Sequence, residues 1–181
     1  MAWINVPFQL LTLENAENVM PLVEGRLNGF PLRLVVDTGA SHTCLDKASL
    51  KCMAPSALSR KKKQALDTET LKDTVMGVGG RRLSHTVCIL PSLHIGELAL
   101  HDYMVIAVRL HNVNKMLHWI GHPPIDGLLG CDVLQAYGAI LDFSTGCLRF
   151  SVADSCGQEV SDEEEVSCRQ EVLNGQDVPN G

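Results

Sequence analysis

The chain has 181 residues, enough for one domain with its own core, and 45% hydrophobic against 20% charged content excludes an intrinsically disordered protein. The net charge of −6 gathers at one end: residues 152–181 hold eight of the 21 acids and one of the 15 bases, leaving 13 acids and 14 bases for the rest. A body so near neutral gives no reason to expect nucleic acid or an anionic membrane as partner, and no apolar run approaches the roughly eighteen residues that span a bilayer.

The opening stretch MAWINVPFQLLTLENAEN lacks the basic region and small-residue cleavage site of a secretion signal, and residues 1–19 are read as an N-terminal segment. Two strands follow, Leu22 to Leu27 and Pro31 to Asp37, joined at Asn28-Gly29, a strong hairpin signal between apolar runs. Asp46 to Met53 is weakly helical, and Arg60 to Lys63 form a basic run read as a solvated loop, because no aromatic residues interleave as a nucleic-acid patch would need. Thr74 to Gly80 (TVMGVGG) followed by RRLSHTVCIL predicts two strands meeting at a glycine-rich, mobile tip; GVGG has neither the spacing nor the Lys-Ser/Thr ending of a phosphate loop.

Leu93 to Leu98 and Leu100 to Val108 are further strands around a turn at Gly96-Glu97. His111 to Pro124 is read as a loop ending before Ile125, since Gly121, Pro123 and Pro124 break a helix. Ile125 to Gly130 (IDGLLG) is a short apolar strand. Cys131 to Tyr137 (CDVLQAY) is a short helix stopped by Gly138, with Asp132 favourably placed near its start. Ala139 to Phe143 and Cys147 to Val152 make a last hairpin around Ser144-Thr145-Gly146. Beyond Val152 apolar periodicity vanishes, and 153–181 is read as a disordered acidic tail. The elements are mainly β with one convincing helix, in a closed or sandwich-like arrangement. A strand pair running into a glycine turn occurs at 22–40 and again at 93–130, a faint internal echo of two similar halves.

Seven cysteines (Cys44, Cys52, Cys88, Cys131, Cys147, Cys156, Cys168), an odd number without tight C-x-x-C spacing, suit reduced thiols in a cytoplasmic protein better than disulfides or a zinc cage. They read as small buried hydrophobes, with Cys156 and Cys168 as exposed tail thiols. His118 and His122 stand four apart but in the expected loop, so no metal is assigned. Trp119 in the same loop is either a subsite wall or an anchoring aromatic.

The segment Leu32 to Ser41 (LRLVVDTGAS) carries the chemistry. A carboxylate directly after an apolar run is desolvated and costly to ionise unless partners are supplied. Thr38 donates and accepts through its hydroxyl, and Gly39 leaves room for another backbone or a second carboxylate. The bland reading of Asp37 is a turn aspartate after a strand.

VVDTGAS resembles the active-site signature of aspartic proteases. IDGLLG followed by CDVLQAYGAILDF resembles the second signature of the retropepsin-like branch, with bacterial and DNA-damage-inducible types nearest, and the glycine-rich stretch lies where such proteases carry a flap. The resemblance covers residues 20–152. It implies a closed β-barrel of the single-lobe acid-protease type and an aspartic endopeptidase with Asp37 as its catalytic carboxylate. Thr38, Gly39, Ala40, Gly127 and Gly130 would support the active loop, and Gly77, Val78, Gly79 and Gly80 would close over substrate.

Peptide hydrolysis without metal or nucleophilic side chain needs two carboxylates, one to take a proton from water and one, protonated, to polarise the carbonyl. The chain contains one Asp-Thr-Gly: Asp67-Thr68 is followed by Glu69, and Asp126-Gly127 lacks the hydroxyl residue. The expectation is therefore a two-fold homodimer acting on a peptide or protein substrate, without cofactor. The rival reading is a non-catalytic module of the same fold that holds an extended peptide in its groove.

Overall fold

The computed structural model describes residues 2–13, 18–58 and 85–152, and the expected flap tip, the basic run at 60–63 and the acidic tail lie outside them. Nine strands, three α-helices and one short 3-10 helix (Pro55–Leu58) are described. The strands are β1 (Ala2–Leu13), β2 (Asn18–Leu27), β3 (Phe30–Val36), β4 (Cys44–Asp46), β5 (Thr86–Ile95), β6 (Leu98–Val108), β7 (Gly127–Leu129), β8 (Ile140–Asp142) and β9 (Cys147–Val152). The helices are α1 (Lys47–Met53), α2 (His111–Trp119) and α3 (Cys131–Ala136).

Six strands close on themselves. The sheet runs β3-β7-β4-β6-β5-β2, and a further pairing of β2 with β3 joins its ends into a barrel. Asn28 and Gly29, both at positive φ, turn β2 into β3 as the N-G signal predicts. Two pairings are parallel, β3 with β7 and β4 with β6, while β4 and β7 run antiparallel. β3 is apolar on both faces. Leu32, Leu34 and Val36 enter the main core with Leu45, Leu90, Leu93 and Phe150, whereas Val35 joins Leu22, Ile106, Leu117 and Ile125 in a second cluster under α2. This explains the three consecutive apolar residues Leu34 to Val36 in place of alternation, after Arg33, whose side chain leaves the core to donate to the Pro124 carbonyl.

The remaining strands extend the barrel wall. β1 is a strand that the sequence reading leaves unassigned, because it serves two partners in turn. Ala2 to Pro7 pair with β9, and Phe8 to Leu13 pair with β2. Pro7, which has no N–H to give a ladder, sits at the changeover, and the apolar alternation is correspondingly interrupted. β8 pairs with β9 and, among the described residues, with no other strand.

The segment expected as a loop at 111–124 contains α2 instead. The breakers read as evidence against a helix are its stop. Gly121, at φ +81°, donates to the His118 carbonyl (3.1 Å) and His122 to that of Leu117 (2.9 Å), a paired cap that a glycine in this conformation completes. Pro123 and Pro124 follow the stop and never enter the helix.

Candidate active site

β3 delivers Asp37 to the rim of the barrel, and the parallel neighbour β7 fixes it there: the Asp37 N–H donates to the Leu129 carbonyl at 3.0 Å. The chain then turns sharply, with Ala40 N–H on the Asp37 carbonyl (3.1 Å) and Gly39 N–H on Asp37 Oδ1 (2.9 Å). A Cβ on Gly39 would lie 3.1 Å from that oxygen, so a side chain there would crowd the carboxylate. Asp37 is half-buried, and its Oδ2 has no hydrogen-bond partner among the described residues. Thr38, Gly39 and Ser41 are exposed and Ala40 is half-buried.

The loop rests on β7 and α3. Cys131 N–H donates to the Ala40 carbonyl (2.8 Å), and its thiol reaches the Thr38 carbonyl (3.2 Å). Gly130 lies flat under the loop, where a Cβ would come within 2.5 Å of the His42 carbonyl carbon and 2.7 Å of its oxygen. Gly127 is equally confined, since a Cβ there would overlap the Cys44 carbonyl oxygen. Asp37, Thr38, Gly39, Ala40 and Gly130 are thus gathered around one loop, whereas Gly127 lies at the other end of β7, paired with Leu34 and Leu45.

The fastening that sequence reasoning missed is Thr43 with Asp132. Thr43 is fully buried. Its N–H donates to both Asp132 oxygens (2.9 Å each), its hydroxyl donates to Oδ1 (2.8 Å), and that hydroxyl accepts the Gly130 N–H (3.1 Å). Val133 N–H completes the set at 2.9 Å. Asp132 was legible only as an acid at a helix start; its partner lies 89 residues away. Asp132 also shapes its surroundings. Burial first, and then the Asp132 carboxylate, hold the Tyr103 phenol well above its ordinary range. Burial, then Asp132 and Asp37, push the Cys44 thiol up to about 11, so at neutral pH Cys44 is a thiol and not a nucleophile.

Other candidates disperse. His118 lies in the last turn of α2, and His122, beyond the helix, donates from Nε2 to the Thr12 carbonyl at 2.6 Å. Among the described residues no group of three or more His, Cys, Asp or Glu is placed to hold a metal ion. Trp119 is 77% exposed, with the Lys115 ammonium 5.4 Å from its ring centre, so it anchors no core. The described cysteines, Cys44, Cys52, Cys88, Cys131 and Cys147, form no disulfide; Cys88 alone of them is buried and Cys52 is exposed, contrary to the expectation of uniformly buried thiols. Among the described residues no helix is long and apolar enough to cross a membrane.

A family model described as aspartyl protease matches residues 23–133, which takes in the Asp37 loop, β7 and the start of α3. The chain belongs to the aspartyl protease family. Among solved structures, a retropepsin-like aspartic protease from Rickettsia conorii is similar at 17% identity and TM-score 0.46, over 82% of this chain and 90% of that one. The retroviral protease-like domain of Ddi1 from Leishmania major is similar at 16% identity and TM-score 0.44, over 76% and 90% of the two chains. No curated protein matches the chain.

Proposed function

We propose that the protein is a retropepsin-like aspartic endopeptidase whose active unit is a homodimer, with two Asp37 carboxylates meeting on the two-fold axis. The observation that carries this reading is the contrast between Asp37 and Asp132, the acid that fastens its loop. Asp132 is saturated by donors from Thr43 and Val133, whereas Asp37 keeps one oxygen open at an exposed loop. Asp132, engaged by Thr43 and Val133, is not free to carry a proton to substrate, and this reading therefore takes the second carboxylate from another copy.

Two adjacent carboxylates cannot both ionise cheaply, so the pair holds one shared proton. In the reaction, the ionised Asp37 takes a proton from a bound water as its oxygen attacks the scissile carbonyl, and the protonated Asp37 gives its proton to the carbonyl oxygen. Collapse of the resulting diol returns a proton to the leaving nitrogen and restores the shared-proton state. Thr38 is exposed beside Asp37, with no hydrogen bond to its hydroxyl among the described residues, and by resemblance to the family it would bond across the axis.

A cleft of about 240 Å³ lined by Val36, Thr38, Leu134 and Leu141 opens on this face, and the edge of β8 that pairs with no other strand among the described residues adjoins it through Leu141. A second copy approaching along Asp37 would cover both. The tip at Gly77, Val78, Gly79 and Gly80 would close over the substrate. The cytoplasm is the proposed setting, on the strength of the free thiols.

The test combines sedimentation with cleavage of a peptide library across pH. The expected result is a dimer that cleaves best at acidic to mildly acidic pH and an Asp37→Asn variant that dimerises but does not cleave. Cleavage that survives the substitution would remove Asp37 from the chemistry. A native dimer that binds library peptides but never cleaves them, with its own termini intact by mass spectrometry, would leave the peptide-binding module.

A further inference from the structure

Asp37 to Ala40 form a β-turn, closed by the Ala40 N–H on the Asp37 carbonyl at 3.1 Å. The peptide unit between its two central residues, Thr38 and Gly39, is planar, so the Thr38 C=O and the Gly39 N–H point to opposite sides and can only turn together. On one side the N–H meets Asp37 Oδ1 at 2.9 Å, the one donor to that carboxylate among the described residues. On the other side the C=O meets the Cys131 thiol at 3.2 Å, the one donor to that oxygen among the described residues.

The central peptide of a β-turn has two orientations, related by a rotation of about 180°, and the closing bond is kept in both. The second orientation, type II, puts the third residue at positive φ, which glycine adopts at no steric cost. Gly39 is the third residue of this turn, yet its φ lies outside the left-handed region. The sequence therefore permits the flipped turn and the structure holds the other. Flipping would swing the Gly39 N–H away from Asp37 and bring the Thr38 carbonyl, an acceptor, towards the carboxylate in its place. Neither the Ala40 N–H nor the Cys131 N–H on the Ala40 carbonyl (2.8 Å) touches the central peptide, so neither chooses between the two.

We propose that Cys131 is a positioning residue, whose thiol, by holding the Thr38 carbonyl, selects the orientation of the Thr38–Gly39 peptide that presents the Gly39 N–H to Asp37. A thiol is a weak donor, but glycine takes either sign of φ about equally readily, so a weak bond tips the balance. The thiol is well anchored for this: Cys131 opens α3, its own N–H is tied to the Ala40 carbonyl, and its side chain lines the 240 Å³ cleft next to Thr38. The consequence for catalysis rests on the reading of Asp37 as the reacting carboxylate: the Gly39 N–H engages Oδ1 and leaves Oδ2 for water and the second acid. The selection of the peptide orientation does not rest on it.

The test is the Gly39 amide resonance of the full chain, read by NMR in the native protein and in Cys131→Ala, Cys131→Val and Cys131→Ser. All three variants keep the backbone N–H that bonds the Ala40 carbonyl, so the thiol's bond alone is changed. Cys131→Ala and Cys131→Val, which lack the donor, should move the Gly39 amide proton upfield and broaden it by exchange between two orientations, while the Asp37 amide, held by the Leu129 carbonyl, stays in place. Cys131→Ser, which donates through a hydroxyl, should restore it; should Cys131→Ala fail to fold, Cys131→Val fills the space of the thiol and decides. On a peptide that the native protein cleaves, kcat should fall severalfold in Cys131→Ala with KM close to native, and recover in Cys131→Ser. A Gly39 resonance unmoved in both donor-less variants, a change that Cys131→Ser does not reverse, or an equal displacement of the Asp37 amide would each overturn the proposal. A native protein that cleaves no peptide would instead remove the reading of Asp37 as a catalyst, and the Gly39 resonance would still decide the role of Cys131.

Discussion

Asp126 and Asp37 stand at the two ends of one parallel strand pair, and the fold treats them in opposite ways. At the start of β7, Asp126 has a partner for each oxygen, and its own backbone bridges two strands: its N–H goes to the Arg33 carbonyl at 2.8 Å, and its carbonyl takes the Asp46 N–H at 2.7 Å. At the other end, Asp37 is held just as firmly by its backbone, yet its carboxylate receives a single donor from among the described residues. A buried or half-buried acid left short of partners is costly, and folds retain that cost chiefly where the group has work to do. The satisfied acid belongs to the architecture; the other is the carboxylate to which the proposed chemistry is assigned.

The comparison breaks most visibly at Asp37 itself. Asp37→Asn is expected to cut the proposed cleavage by at least about 10³-fold, while thermal unfolding shifts little, because one donor is all that the native carboxylate engages. The reverse pattern is expected one loop away. Asp132→Ala strands the buried Thr43 N–H and hydroxyl and should cost about 3 kcal/mol in chemical denaturation, whereas Asp132→Asn, which keeps an acceptor, should cost less. A native-like Asp132→Ala would mean that the loop is not fastened through Thr43.

Gly130→Ala sharpens the same contrast between framework and reactive group. The added methyl meets backbone of His42 rather than a movable side chain, so a loss of about 2 kcal/mol is expected, with activity per folded molecule reduced because the displaced segment leads back to Asp37. The smallest effect is a pH limb. Cys44 holds its proton up to about 11 in the folded state, against 9.0 as the ordinary value, so the unfolded chain releases the proton first. Stability is therefore complete below pH 9 and declines between 9 and about 11, by no more than about 2 kcal/mol after allowance for partial exposure. Cys44→Ala should flatten that limb in urea titrations, and at pH 8 iodoacetamide should label the exposed Cys52 well before Cys44.

Where local signals agree with the fold, the sequence is transparent. Asn28-Gly29 announces its hairpin, Gly138 its helix end, and LRLVV its doubly covered strand. Asp37 is legible because a polar group ending such a run has few structural excuses. What stays hidden is pairing at a distance. Neither the 89 residues between Thr43 and Asp132 nor the 93 between Arg33 and Asp126 leave a local trace. α2 was misread for the opposite reason: its stop signal is so dense in breakers that it masked the helix in front of it. β1 escaped because a strand that changes partner midway has no single alternation to display.

The pairing of Ala2 with Val152 sets the two ends of the described body side by side. Any polypeptide fused to either end leaves the barrel at the same corner, so a bulky tag placed before β1 would crowd the exit of the acidic stretch as effectively as one placed after it. The same adjacency makes the body a natural candidate for circular permutation: a short linker could join the old ends, and new ones could be opened at an exposed turn such as Asn28-Gly29.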